Sequence, residues 1–195
     1  MNCLFLTNSI IRTKYKEDRV GHMHLIMAII VIIAVWWKKD YKNWEKYHTT
    51  MLYFAVINLT YNFLCSNYFL WKFDPDLLIN HSITEMLYTL IVFPGTVLMF
   101  LTHYPPTFKK RILYNLLWIA LYIGIEGVYL LVGKIYYQHG WSIQWSIVLV
   151  AIMFPMLRLH HKRPIFAYLL SVFITAFFMW YFEVPLGVPI EERSG

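Results

Sequence analysis

A single carboxyl group lies in the middle of an apolar stretch, LYIGIEGVYLL, which covers residues 121–131. Glu126 is the only charged residue of this stretch, and an ionisable group in membrane hydrocarbon is costly unless it faces a neighbouring helix or a wet cavity. It can form the centre of an ion pathway or proton site, or it can hold two helices together through a hydrogen bond. Both alternatives predict that Glu126 faces the interior of a helix bundle and is protonated at neutral pH.

Polar side chains recur along the face of the helix that carries Glu126. Successive residues turn by ~100° around an α-helix, so residues three or four positions apart share a face. The second and third apolar segments have polar faces too, and Asn62 is predicted to lie at the depth of Glu126, about 5 Å to the outer side of the midplane, where the two could face each other. The predicted polar interior consists of Glu126, Asn58, Asn62, Tyr122, Tyr129, Glu85 and Thr96.

A second face of the same helix contains only small residues, Ala120, Gly124 and Gly127. Small side chains allow two membrane helices to approach closely. This face is therefore a candidate contact for a partner helix, either from a membrane partner or from a second copy of the chain.

The segment NHSITE, residues 80–85, has two interpretations. His81 and Glu85 are one helical turn apart, a spacing that can hold a metal ion. Ser82 and Glu85 also form a capping box for the amides that begin a helix, and this interpretation is favoured. The sequence contains no complete metal-ligand or catalytic motif such as HExxH or GxSxG, so it predicts no catalytic residue, no metal ligand and no cofactor.

The composition is that of an integral membrane protein. Of the 195 residues, 59% are hydrophobic, 19% are aromatic and only 14% are charged, whereas a soluble domain has about 25% charged residues. Runs of about 20 apolar residues match the ~30 Å hydrocarbon core of a bilayer. The lipid bilayer is thus an expected partner. Nucleic acid is not, because the basic residues lie in short clusters between apolar runs.

Six apolar segments predict an all-α bundle of six transmembrane helices, in which helices two to six have the stronger support. The segments cover residues 23–37, 49–70, 83–103, 112–133, 141–158 and 164–184. They predict an integral membrane domain at residues 23–185 and a short C-terminal tail at residues 186–195.

Residues 1–22 form a leader before the membrane domain. The membrane pattern begins abruptly at Met23, which can serve as the natural start. In one interpretation the leader is absent from the native product, and in the other it forms a cytoplasmic tail with a different topology. Intact mass of natively expressed protein distinguishes the two.

The distribution of Lys and Arg predicts the orientation. Ten of these residues lie in the first, third and fifth connections, and three, Lys72, Lys134 and Arg193, lie in the other connections and the tail. The positive-inside rule then places the odd connections in the cytoplasm and the C-terminus outside. Lys109 and Lys110 are expected in the cytoplasm and His139 at the exterior. The four basic residues of the leader oppose this orientation, and a start at Met23 removes the conflict.

Several motifs, taken in order, resemble a family of small multi-pass membrane proteins from Bacillus, Clostridium and related spore-forming bacteria. They are YKNWEKYHTTMLYF, YNFL, LWKF, IVFPGTVLMFLTHYP, GIEGVYL, HGWSIQWSI and MFPMLRLHHKRP, and they extend over residues 23–185. The resemblance implies a bacterial plasma membrane. The family is uncharacterised, so it implies no catalytic residues.

A narrower likeness concerns the C-terminal segment PLGVPIEE. It resembles a motif of small membrane-bound lycopene cyclases, in which the acidic pair is implicated in the chemistry. The match implies Glu191 and Glu192 as candidates, although the motif occurs once and the chain ends soon after it.

These observations favour the binding or passage of a small solute or ion through a polar helix-bundle interior. One alternative is a noncatalytic membrane protein that acts through partner helices. The other is an intramembrane enzyme that acts on lipid or isoprenoid substrates.

Overall fold

A computed structural model describes residues 22–75 and 77–193, and this part of the chain is a bundle of six helices. The helices are α1 (Met23–Trp37), α2 (Trp44–Leu64), α3 (His81–Thr102), α4 (Phe108–Leu131), α5 (Ile143–Lys162) and α6 (Pro164–Tyr181). Two short strands, β1 (Trp71–Phe73) and β2 (Ile135–Tyr137), pair antiparallel. Short 3₁₀ helices cover Asp40–Asn43 and Ile190–Glu192. The leader lies outside the described residues except for its last member, His22.

Helix α3 contains a π-helical turn at Tyr88–Val92, immediately before Phe93 and Pro94. Proline has no N–H, so the carbonyl group four residues earlier loses its helical donor. A widened turn just before the proline is a common response to such a gap in the hydrogen-bond ladder. The turn carries Tyr88 and Thr89 on the buried side of the helix.

The outer surface of the bundle is apolar, as expected for a membrane protein. Helices α3, α4, α5 and α6 are each long and apolar enough to cross a membrane. On α6, for example, Val172 and Phe173 are 66% and 70% exposed. A water-soluble protein rarely exposes such contiguous apolar surface. The prediction of a helical bundle is confirmed, and four helices of the described chain are long and apolar enough for the predicted membrane protein.

The bundle has two different ends. At the first end, which we call the basic end, the α1–α2, α3–α4 and α5–α6 connections meet. The Tyr47 hydroxyl donates to the Leu101 carbonyl at 3.1 Å there, and Thr50 Oγ1 lies 3.0 Å from His160 Nδ1. The basic end contains Lys38, Lys39, Lys42, Lys46, Lys109, Lys110, Arg111, Arg158, Lys162 and Arg163.

At the opposite end, β1 and β2 form a two-stranded ribbon. Trp71 pairs with Tyr137 in this ribbon, so the α2–α3 connection lies beside the α4–α5 connection. Arg193 Nη1 donates to the Leu64 carbonyl at 2.7 Å, which places the C-terminal segment at the same end. We call this the ribbon end.

Several predicted boundaries are wrong. Helix α2 begins at Trp44 and not at residue 49, because the polar residues 45–48 are helical although they do not belong to the apolar segment. Helix α5 continues to Lys162, so the predicted fifth connection is helical except for Arg163. The capping box is also wrong: Asn80 Oδ1 accepts the Ile83 amide at 3.0 Å, and Ser82 lies inside the helix.

Candidate functional site

A cavity of about 850 Å³ lies between the helices and is lined by residues from all six of them. Its walls are mainly aliphatic and aromatic. At the basic end, the stacked and tilted rings of Phe100, Phe154 and Tyr114 lie beneath the connections, with Phe100 and Phe154 4.9 Å apart. At the ribbon end, Trp71 and Trp141 lie with ring centroids 5.0 Å apart. The cavity therefore runs along the bundle between two aromatic layers.

Glu126 places its carboxyl group in the cavity wall toward the ribbon end. Its Oε1 accepts hydrogen bonds from the Tyr137 hydroxyl at 2.6 Å and from Ser146 Oγ at 2.5 Å. Trp141 Nε1 donates to Ser146 Oγ at 2.9 Å and so helps to orient it. Three elements build the group: α4 carries the carboxyl, β2 carries the tyrosine and the first turn of α5 carries the serine.

The two carboxyl oxygens of Glu126 differ in their surroundings. Within residues 22–75 and 77–193, Oε1 receives both hydrogen bonds and Oε2 has no partner. Oε2 is not fully buried, so the protein does not enclose it. Burial, and next the hydrogen bond to Glu126, raise the pKa of the Tyr137 hydroxyl well above its usual range. Tyr137 thus remains a donor, and Glu126, a residue of the cavity wall, keeps one oxygen without a hydrogen-bond partner among the described residues.

Other polar groups in the cavity wall are paired with each other. The Tyr122 hydroxyl donates to Thr96 Oγ1 at 2.7 Å. The Tyr88 hydroxyl donates to Tyr129 at 3.0 Å, and Tyr129 donates to the Met23 carbonyl at 3.3 Å. These pairs join α3 to α4 and α4 to α1.

A second carboxyl group, Glu85, lies in a buried polar cluster beside the cavity. Its Oε2 accepts Asn58 Nδ2 at 3.0 Å and Asn62 Nδ2 at 3.2 Å, and Asn58 also donates to Thr89. The predicted meeting of Asn62 with Glu126 is therefore wrong, because the amide of Asn62 bonds to a carboxylate on α3. Of the residues predicted for the polar interior, those that line the cavity are Glu126, Asn58, Tyr122, Tyr129 and Thr96.

His81 and Glu85 face each other without a direct hydrogen bond. The Phe73 amide donates to His81 Nδ1 at 3.1 Å, so this nitrogen is an acceptor. His81 Nε2 and Glu85 Oε1 are 4.0 Å apart, and both are buried without a hydrogen-bond partner. In the ranges that the structure describes, no group of three or more potential metal ligands forms.

The small face of α4 contacts no other helix of the described chain. A Cβ atom added at Gly124 or Gly127 would have nothing within 4 Å, and Ala120 is exposed. The close approach occurs elsewhere: a Cβ atom at Gly95 on α3 would overlap the Val31 side chain of α1. The lycopene cyclase likeness concerns residues far from the cavity wall, since Glu191 and Glu192 are exposed in the C-terminal 3₁₀ helix.

Sequence reasoning missed the partners of Glu126. Tyr137 lies in a strand of three residues, too short for a periodic signal, and Ser146 lies in the first turn of α5 beside another polar residue, Gln144. A search for hydroxyl groups in the connections at the end where Glu126 lies could have suggested Tyr137.

Comparisons with known proteins add no relatives. No protein-family model matches the chain, and no curated protein or solved structure shows a significant match to it.

Proposed function

We propose that this protein crosses the membrane six times and binds a small amphipathic molecule inside the bundle. The apolar walls of the cavity would hold the hydrocarbon part of this ligand. The Glu126 carboxyl group would bind its polar head. The observation that carries the proposal is the oxygen Oε2 of Glu126, which has no hydrogen-bond partner among the described residues and belongs to a residue in the wall of a mainly apolar cavity of about 850 Å³.

The pattern of exposure on α2 supports six crossings. Leu52, Val56, Leu59 and Phe63 are 60%, 50%, 44% and 66% exposed, and their spacing of three and four residues makes one continuous outward stripe. The polar residues of α2 face the bundle, so the average hydropathy of the helix underestimates the apolarity of its outer face. Helix α1 has 15 residues, about 22 Å of helix, and it ends in Trp36 and Trp37, a residue type that is common at the membrane interface.

The nature of the walls favours an amphipathic ligand over an ion. A conducted ion needs polar groups or water along its whole path. Here the hydroxyl groups of Tyr122 and Thr96 bond to each other, and most of the remaining wall is aliphatic or aromatic. Cavities of about 300–1,000 Å³ with apolar walls and a few convergent polar groups are typical of small-molecule sites.

Saturable photolabelling tests the proposal. The protein is reconstituted in liposomes with a photoreactive hexadecanol that carries a diazirine, and excess unlabelled hexadecanol competes. We expect saturable labelling of the wild type and about 10- to 100-fold weaker binding by Glu126→Leu, as for the loss of a hydrogen bond to a charged or strongly polar group. Glu192→Leu, on an exposed carboxylate, is the matched control.

A second variant separates loss of binding from loss of folding. Ile125→Trp fills the cavity from the wall of α4 and leaves the Glu126 carboxyl group in place. It should abolish competition by hexadecanol while the protein still elutes as a single species in detergent. Unchanged saturable labelling of both Glu126→Leu and Ile125→Trp would contradict the proposal.

We also propose a bacterial plasma membrane as the setting, with the basic end in the cytoplasm. The supports are the resemblance to the Bacillus and Clostridium family and the concentration of Lys and Arg at one end of the bundle.

A further inference from the structure

The cavity reaches the surface of the bundle between α1 and α4. Among its lining residues, Ile30 on α1 is 54% exposed, and Leu117 and Leu121 on α4 are 64% and 50% exposed. Side chains that both line a cavity and lie on the outer surface mark the place where the cavity opens. Two further exposed lining residues, Lys38 and His103, lie at the basic end of the same opening.

The packing of the two helices explains why an opening forms there. Helix α1 packs mainly on α3, and α4 packs mainly on α5. At the ribbon end, the Tyr129 hydroxyl donates to the Met23 carbonyl and ties α4 to α1. Further toward the basic end, Ile30 and Leu121 remain exposed. The result is a slit that is closed at the ribbon end and faces the hydrocarbon of the bilayer.

Aromatic side chains lie near both ends of the cavity. At the ribbon end, Tyr61 and Trp71 stack with ring centroids 3.8 Å apart, and Trp71 continues into Trp141. At the basic end, Arg158 lies 4.7 Å from the centre of the Tyr104 ring, over the layer that contains Phe100. Among the described residues, the exposed members of the lining all lie along the slit or at its basic end.

We infer that the ligand comes from the bilayer through the slit between α1 and α4, and that it is an uncharged single-chain amphiphile such as a long-chain alcohol. Ile30, Leu117 and Leu121 offer no hydrogen bond to a head group that passes between them. Beyond Lys38 and His103, a charged head would have to give up its hydration between these three side chains without compensation. A hydroxyl group loses less, and it can donate to Glu126 Oε2 once it arrives. This inference rests on the proposed function.

Adjacent residues on each helix provide matched variants. Ile30→Trp and Leu117→Trp each place a large side chain in the slit. Ile33→Trp places the same side chain three positions from Ile30, and Leu116→Trp places it one position from Leu117. These control positions are 53% and 56% exposed, and neither lines the cavity. The measurement is the rate of photolabelling by the diazirine hexadecanol after it is mixed into liposomes that contain each variant.

The expected result is a rate at least about ten times lower for Ile30→Trp and Leu117→Trp, with wild-type rates for both controls. Saturable binding with equal rates in all four variants would overturn the bilayer route and leave the proposed function intact. An absence of saturable binding in the wild type would overturn both. A photoreactive hexadecyl phosphate that competes as well as the alcohol would overturn the assignment of an uncharged head.

Discussion

At the scale of single residues, the two hydrogen bonds to Glu126 make its substitution informative. Tyr137 and Ser146 both donate to Oε1, so Glu126→Leu would leave two donors without an acceptor. We expect this variant to lose about 1–3 kcal/mol of stability per unpaired group, whereas Glu126→Gln keeps a carbonyl oxygen that can accept both bonds and should unfold near the wild-type temperature. Thermal unfolding in detergent measures the difference. Equal melting temperatures for the Leu and Gln variants would contradict this account.

A second residue, Cys65, is a probe of burial. Its side chain has no exposed surface, and burial raises the pKa of its thiol to about 12. The thiolate is the reactive form, so with Cys3 replaced by Ser the folded protein should not react with maleimide until a denaturant is added. Rapid labelling of the folded form would contradict the predicted burial.

The same thiol makes a pH-dependent contribution. An unfolded chain releases the thiol proton near its ordinary pKa of ~8.5, and the folded chain retains it to about pH 12. The contribution is therefore complete below about pH 8 and is lost as the pH rises between these two values. The melting temperature of Cys65→Ala should therefore fall less than that of the wild type when the pH rises from about 8 to about 12.

Some of the site could be predicted from sequence, for reasons that individual residues make clear. Helical periodicity assigns Glu126, Tyr122 and Tyr129 to one face because the period of an α-helix depends on local geometry alone. The partner of Glu126 could not be predicted in this way. Depth in the membrane made Asn62 a plausible partner, but it does not specify the rotation of a helix or the position of Tyr137 in a connection.

At the scale of helices, the glycines show where close packing occurs. Gly95 lies against Val31, so Gly95→Ala would force α1 away from α3 and should cost about 1–3 kcal/mol, the usual penalty for overpacking. Gly124→Ala and Gly127→Ala meet open space, and they should each stabilise α4 by about 0.5–1 kcal/mol. Unfolding of the three variants under one condition tests the ranking. A second copy of the chain seated on α4 would appear as destabilisation by Gly124→Ala.

The helix boundaries illustrate what apolar segments can and cannot predict. All six predicted segments contain a helix, because runs of apolar residues in a 3.6-residue period are a strong signal. Residues 44–48 were missed because they are polar, although they continue the backbone of α2. The strands β1 and β2 were missed for a different reason: each has three residues, and their pairing joins parts of the chain more than sixty residues apart.

At the scale of the whole molecule, the distribution of polar groups explains why helix α2 has a lower mean hydropathy than α3, α4, α5 and α6. Helix α2 carries Asn58, Asn62 and Thr50 toward its neighbours and Leu52 and Phe63 outward. Its outer face resembles that of α6, and its mean composition does not. A bundle that encloses polar clusters must contain helices of this kind, since the polar groups of the interior have to be attached to some helix.

The orientation of the molecule follows from its two ends. The odd connections meet at the basic end and the even connections meet at the ribbon end, so one labelling experiment on each end determines the direction.

With Cys3 and Cys65 replaced by Ser, we expect Lys110→Cys to resist an impermeant maleimide on intact cells and Gln138→Cys to react with it. Both positions are exposed, so a difference between them reports the side of the membrane and not burial. Both should react after the cells are permeabilised. Labelling of position 110 on intact cells, with protection of position 138, would reverse the orientation, and equal labelling of both would exclude a crossing by α4, the helix between the two positions. The positive-inside rule favours the first result because ten Lys and Arg residues lie at the basic end and three at the ribbon end.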